Sequence, residues 1–272
     1  NKLVSLDQLL RFYASPAQYL VNQRVSIRLE DDEDVLQARE PLELDALEKY
    51  HVGDQLLRSL LSSGDDEQKA RAALVAGGYL PLGTPAFMHL DSVMPVVQSI
   101  VSKALAYQDG GPLASIEVDL HIGDTRLVGQ LGSLFSQCRQ EISYSRPQGK
   151  RELQAWIQHV VLCHQTPADY PRETICIGRD KKDGAAAMKF RAVADSGPIL
   201  RDLLQVYKLG QQQPVPLFLN SSRCFANHWQ KLSSKDPEAG DEAPFHHMAE
   251  DRPACLRAPR ARLRCPRARK CR

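Results

Sequence analysis

Four carboxylates, Glu117, Asp119, Asp124 and Glu141, fall in one short stretch, and clustered Asp and Glu are what a Mg²⁺ ion requires. Glu117 and Asp119 are two residues apart, so on an extended strand they share a face. With a bound metal such a set would activate water for phosphodiester cleavage, but no Lys follows at a spacing that would place an ammonium beside it. His159, Cys163 and His164 occupy about one helical turn, where an i, i+4 pair can share a metal. Cys163 equally continues an apolar helix face as a small buried side chain. Arg139, Arg146, Lys150 and Arg151 flank one predicted strand, and Arg179, Lys181 and Lys182 sit on a predicted hairpin tip. Both groups read either as phosphate contacts or as solvated charges beside turns. Cys255, Cys265 and Cys271, with His246 and His247, lack the closely spaced Cys pairs of a structural zinc site.

The elements that must hold these groups are legible from periodicity. Ser5 is a predicted N-cap for a helix whose apolar stripe is Leu6, Leu9, Leu10 and Phe12. Pro16 interrupts it, and Tyr19, Leu20 and Val25 continue the apolar face. The acidic run Glu30–Asp34 reads as a solvated loop. Helices are predicted over 45–61, closed by Gly64, over 67–74, and from Asp91 as N-cap to Tyr107. Beyond Gly110-Gly111-Pro112 the period changes to two. Ile116, Val118, Leu120 and Ile122 make a half-buried strand, Gly123-Asp124 a hairpin turn, 126–131 its partner and 141–144 a third strand. Gly149 precedes an amphipathic helix on Leu153, Trp156, Ile157 and Val160. A second hairpin is predicted from 174–177 and 187–193, then a helix capped by Asp195 through Val206, and a last helix over 221–231. The fold class is α/β (α+β): a mixed sheet flanked by helices, with an N-terminal helical segment.

The chain has 272 residues, 43% hydrophobic and 25% charged, ordinary values for one large or two small globular domains. No run approaches the roughly 18 apolar residues of a membrane span, and no charged-then-apolar leader opens the chain. A start at Asn1 suggests a processed product or a fragment. The net charge of +2 conceals two unlike parts. Residues 252–272 carry eight Arg, one Lys and no acid, so residues 1–251 hold 26 basic groups against 33 acidic ones. The basic end is a phosphate-binding arm, a metal-binding segment, or a stretch with no core that continues out of frame. The acidic body argues against strong non-specific DNA binding by this fragment alone. Three segments are expected: helical residues 1–110, the sheet and its flanking helices over 111–231, and a low-order basic tail over 232–272.

A hairpin, a third strand and an amphipathic helix follow one another as in metal-dependent PD-(D/E)xK nucleases of restriction-endonuclease-like fold. Such nucleases carry Asp at the end of the second strand, and an acid, one residue and Lys on the third. Here Gly129-Gln130-Leu131-Gly132 places Gly132 at the first position, and Ser143-Tyr144-Ser145 places Ser143 and Ser145 at the acid and the Lys. Neutral hydroxyls do not replace carboxylates for Mg²⁺. Phe12-Tyr13-Ala14-Ser15-Pro16 looks like the Tyr-x-x-Cys-Pro of iron–sulfur relatives, with Ser15 at the Cys.

The chain resembles the C-terminal region of the exodeoxyribonuclease V gamma-subunit (RecC) family over about residues 3–230. The resemblance rests on the segment Ser5–Gln18, Pro41–Tyr50, Gly78-Tyr79-Leu80-Pro81-Leu82-Gly83, Leu153–His159 and Leu203–Gly210 with Pro214–Phe218. It implies a decayed nuclease fold with no catalytic, metal or cofactor-binding residues. The implied role is in a cytoplasmic helicase–nuclease, partnered by the RecB and RecD motor subunits, double-strand DNA ends and the separated single strands, with no membrane. Two other readings stand beside it: an active Mg²⁺-dependent nuclease using migrated carboxylates, and a protein-interaction scaffold.

Overall fold

The structure, a computed structural model, describes residues 2–25, 44–63, 66–78, 80, 83–167 and 169–233. The acidic run Glu30–Asp34, the His246, His247, Cys255, Cys265 and Cys271 group and nearly all of segment 232–272 lie outside the described residues.

Ser5 caps α1 (Leu6–Ala14) through a reciprocal pair of bonds. Its hydroxyl accepts from the Gln8 amide at 3.1 Å, and Gln8 Oε1 accepts from the Ser5 amide at 3.1 Å. Pro16 opens α2 (Pro16–Leu20), where its missing N–H costs nothing, and a π-helical turn over Val21–Val25 continues the path. Three helices follow: α3 (Ala46–Ser63), α4 (Glu67–Ala76) and α5 (Thr84–Leu105). Helix α5 starts seven residues before the expected N-cap at Asp91, with Pro85 in its first turn and Pro95 inside it. Asp91 instead accepts a 2.9 Å bond from Arg71 on α4.

The strands form two three-stranded sheets. In the first, β2 (Ile116–Ile122) and β3 (Thr125–Leu131) make the expected hairpin in antiparallel register. The chain's opening residues, β1 (Lys2–Ser5), add a parallel strand on the far side of β3 that the sequence pattern did not reveal. In the second, β4 (Arg139–Ile142) runs parallel to β5 (Thr174–Arg179), which pairs antiparallel with β6 (Ala185–Phe190). Gln140 N donates to Ser133 O at 2.8 Å, so the chain leaving β3 hydrogen-bonds the head of β4 and the two sheets abut.

Helix α6 (Lys150–Gln165) and α5 meet β4–β6 from different sides, and α7 (Ser196–Gly210) packs with α1 and α6. On the α5 side, Gln140 donates to Ala104 O at 3.0 Å and Lys103 Nζ to Ala185 O at 2.8 Å. A continuous apolar core runs from Leu56, Leu57, Leu90 and Ile100 to Ile175 and Ile177, tying α3–α5 to β4–β5. Residues 1–216 are one compact unit. A second unit begins at Leu217, and its described part contains α8 (Leu219–Ser233). Among the described residues no helix is long and apolar enough to cross a membrane.

Candidate functional site

The third-strand positions are set by an extension of the sheet beyond β4. Ser143 N donates to Ile177 O at 3.0 Å and Arg179 N to Ser145 O at 3.2 Å, so residues 143–145 continue the ladder along β5. Gly178 makes this possible, because a Cβ there would lie 2.1 Å from Ser145 O. Ser143 and Ser145 are 3.1 Å apart, hydroxyl to hydroxyl. Tyr144 is buried towards α3, where a Cβ on Gly53 would stand 2.3 Å from its ring, and the Arg179 guanidinium lies 5.4 Å from the ring centroid. Gly129 has a packing reason of its own: a Cβ there would come within 2.7 Å of Leu6 Cβ at the start of α1. Gly132 is exposed, with nothing within 4 Å of where a Cβ would stand. The two serines offer two neutral hydroxyls bonded to each other, a poor ligand set for a hard divalent cation.

Three of the four carboxylates considered for migrated chemistry are engaged separately, each with its own cation. Asp119 takes two bonds from Arg126, at 2.8 and 2.7 Å, and these hold its carboxyl below the usual range. Asp124 is held by Lys208, whose hydrogen bond likewise lowers its pKa, and Glu141 pairs with Arg139 at 2.9 Å. Among the described residues no group of three or more His, Cys, Asp or Glu side chains is placed to hold a metal.

His159 is fully buried and both ring nitrogens are used. Nε2 lies 2.9 Å from Arg191 O, which can only accept, so Nε2 carries the proton and Nδ1 accepts from the Thr174 hydroxyl at 3.0 Å. Cys163 Sγ approaches His159 Nε2 at 3.5 Å, and His164 Nδ1 pairs with Ser196 at 3.2 Å. The three residues therefore serve the seams of α6 with β5 and α7 rather than one ligand set. Burial depresses the His159 pKa and pushes the Cys176 thiol up to about 12.

The four predicted DNA-contact cations do not form one patch. Arg139 is only 5% exposed. Its Nη2 bonds Glu141 at 2.9 Å and Gln158 on α6, while Nε and Nη1 are buried without a hydrogen-bond partner among the described residues. Arg151 is half-buried and donates to the Tyr50 hydroxyl of α3 at 3.2 Å. Arg146 and Lys150 are exposed. Lys150 lines a cleft together with Arg11 of α1, a residue the sequence reading did not single out. At the hairpin tip, Lys181 and Lys182 are exposed.

Comparison with known proteins places this arrangement. A family model described as the RecC C-terminal domain matches residues 1–230. The RecBCD enzyme subunit RecC of Mycobacterium tuberculosis is 30% identical over 269 residues, covering 95% of this chain and 24% of the relative. That of Mycolicibacterium smegmatis is 27% identical over 273 residues, covering 93% and 24%. That of Escherichia coli is 24% identical over 212 residues, covering 78% and 18%. Coverage of 95% carries the similarity past residue 231, beyond the limit that the sequence motifs marked. The chain spans about a quarter of the length of its mycobacterial relatives. With a matching model across most of its length, the chain belongs to the RecC C-terminal domain family.

Proposed function

We propose that this chain is the C-terminal part of a RecC-type subunit of a RecBCD enzyme, acting on double-strand DNA ends in repair by homologous recombination without a catalytic centre of its own. The family match over residues 1–230 carries this reading. The chemistry at Gly132, Ser143 and Ser145 supports the non-catalytic part, because no carboxylate or ammonium stands at any of the three. These positions are those of a decayed nuclease of restriction-endonuclease-like fold. The partners are the RecB and RecD motor subunits, the DNA end and the two strands being separated, in the cytoplasm. Exposed Arg146 and Lys150 suit phosphate contact; buried Arg139 serves the frame behind them.

The test is co-expression of the tagged chain with RecB- and RecD-type subunits, followed by capture and a Mg²⁺-dependent cleavage assay on the captured chain alone. Capture of a motor subunit in near-equal amount, with no cleavage by the chain alone, is the expected result. Failure to capture either motor subunit overturns the assembly role. Cleavage that disappears in Glu117→Ala with Asp119→Ala overturns the non-catalytic one.

A further inference from the structure

A polar stripe runs along the first three helical pieces of the chain. Gln8, Arg11, Ser15, Gln18 and Asn22 recur at spacings of three and four, on the side opposite the buried Leu9, Phe12 and Pro16. The stripe faces the first turn of α6, and with Lys150 it lines a cleft of about 390 Å³. Clefts of about 300–1,000 Å³ hold small ligands or short chain segments.

None of the lining residues carries a carboxylate. That is out of keeping with residues 1–251, where acids outnumber bases by 33 to 26. Among the described residues neither Arg11 nor Lys150 takes part in an ion pair. The remaining polar groups are carboxamides and a hydroxyl. The Gln8 carbonyl is spent on the helix cap, which leaves its NH₂ to donate, and the Ser15 side chain does not cap α2. Two cations among neutral donors, with no acid, match a run of phosphodiesters: each charge neutralises one phosphate and the amides bond the non-bridging oxygens and sugars.

We propose that this cleft between α1–α2 and the start of α6 binds the sugar–phosphate backbone of a single nucleic-acid strand, with Arg11 and Lys150 each on one phosphate. The choice of nucleic acid over another polyanion rests on the function proposed above; the preference for an anion rests on the cleft alone. Binding is independent of sequence, since backbone contacts carry no base readout. The basic end of the chain is a separate source of affinity, so the test must be local.

The 272-residue chain, labelled with ¹⁵N, is titrated with a short oligothymidylate. Backbone amides of Arg11, Ser15, Gln18 and Lys150 shift together and saturate. In Arg11→Gln with Lys150→Gln these shifts vanish while the remaining spectrum stays folded, and Arg11→Lys restores part of them. The slope of log affinity against log salt falls by about 1.4 in the double variant, two contacts at about 0.7 each for a single strand. Shifts confined to other residues, or unchanged in the double variant, overturn the site. An oligoglutamate of equal charge that moves the same amides as far overturns its assignment to nucleic acid. Capture of the motor subunits is read separately, so loss of cleft binding in a variant that still assembles counts against this site only.

Discussion

Arg139 and His159 show how side-chain chemistry in this domain is turned inward. A guanidinium at 5% exposure beside one partly exposed carboxylate locks β4 to α6 and offers nothing to a phosphate outside. His159 lies at the same seam, against the rings of Trp156 and Phe190, which also meet each other, and near Arg139 and Glu173, which act on its charge with opposite sign. Burial, the largest influence, lowers its pKa from the ordinary 6.5. Below that pH the unfolded chain takes up a proton that the folded chain resists, so this group's stabilisation is whole above about pH 6.5 and is lost as the pH falls through and below it. The His159 contribution falls by at most about 1.4 kcal/mol per pH unit in that window. His159→Gln keeps a side-chain N–H for Arg191 O but cannot titrate. We expect it to cost about 1–3 kcal/mol at pH 7.5 through its poorer fit. The difference from the parent should narrow as the pH is lowered to 5.5. Denaturant unfolding at several pH values checks this, and a constant difference would refute it.

At the scale of elements, α1 is held by aromatic packing as well as by its cap. Phe12 is fully buried, with edge-on contacts to Tyr13, Tyr19 and Tyr207 at 5.1, 5.8 and 5.2 Å between centroids. The tyrosines are tied in turn: Tyr13 donates to Leu203 O at 2.9 Å, and Tyr19 and Tyr207 share a 3.1 Å bond. Gly210 ends α7 against this cluster, where a Cβ would stand 2.2 Å from the Phe12 ring. Alanine there gains about 1 kcal/mol of helix propensity but forces apart a rigid, fully packed ring. A net loss of about 1–2 kcal/mol is expected for Gly210→Ala, against under about 0.5 kcal/mol for Gly132→Ala, whose Cβ meets open space. Denaturation midpoints of the two variants decide it. The elements legible in the sequence were those with local causes: the Ser5 cap, the Gly123 turn with φ of 62°, and the apolar face of α6. Strand β1 was not legible because its partner lies more than 100 residues away. The burial of Arg139 depends on α6 lying over β4, and the cleft exists only once α1 meets α6. The polar residues from Gln8 to Asn22 were not singled out, because nothing local says what they face.

Over the whole molecule, burial divides the described chain unequally. Residues 1–216 share one unit whose helices carry closely spaced buried side chains; α6 alone buries Ala155, Ile157, His159, Val160, Val161 and Leu162. In α8 none of the described side chains is buried, and Phe225 stacks on Trp229 at 6.2 Å as a contact within the helix itself. With no buried side chain among its described residues, this fifteen-residue helix draws less on packing, which rather than propensity supplies most helical stability. Amides of α6 can exchange with solvent only when the shared unit opens, whereas those of α8 require only the helix–coil step. Hydrogen exchange on the chain alone should therefore show α8 protected at least about a hundredfold less than α6. Equal protection of the two helices would mean that α8 unfolds with the rest as one cooperative body. The same contrast should appear under limited proteolysis, with cuts first after Arg223 and Lys231 rather than at the basic residues of α6. Because every residue lining the cleft between α1–α2 and α6 lies within residues 1–216, loosening α8 should leave that cleft intact, and the two measurements can be made on the same sample.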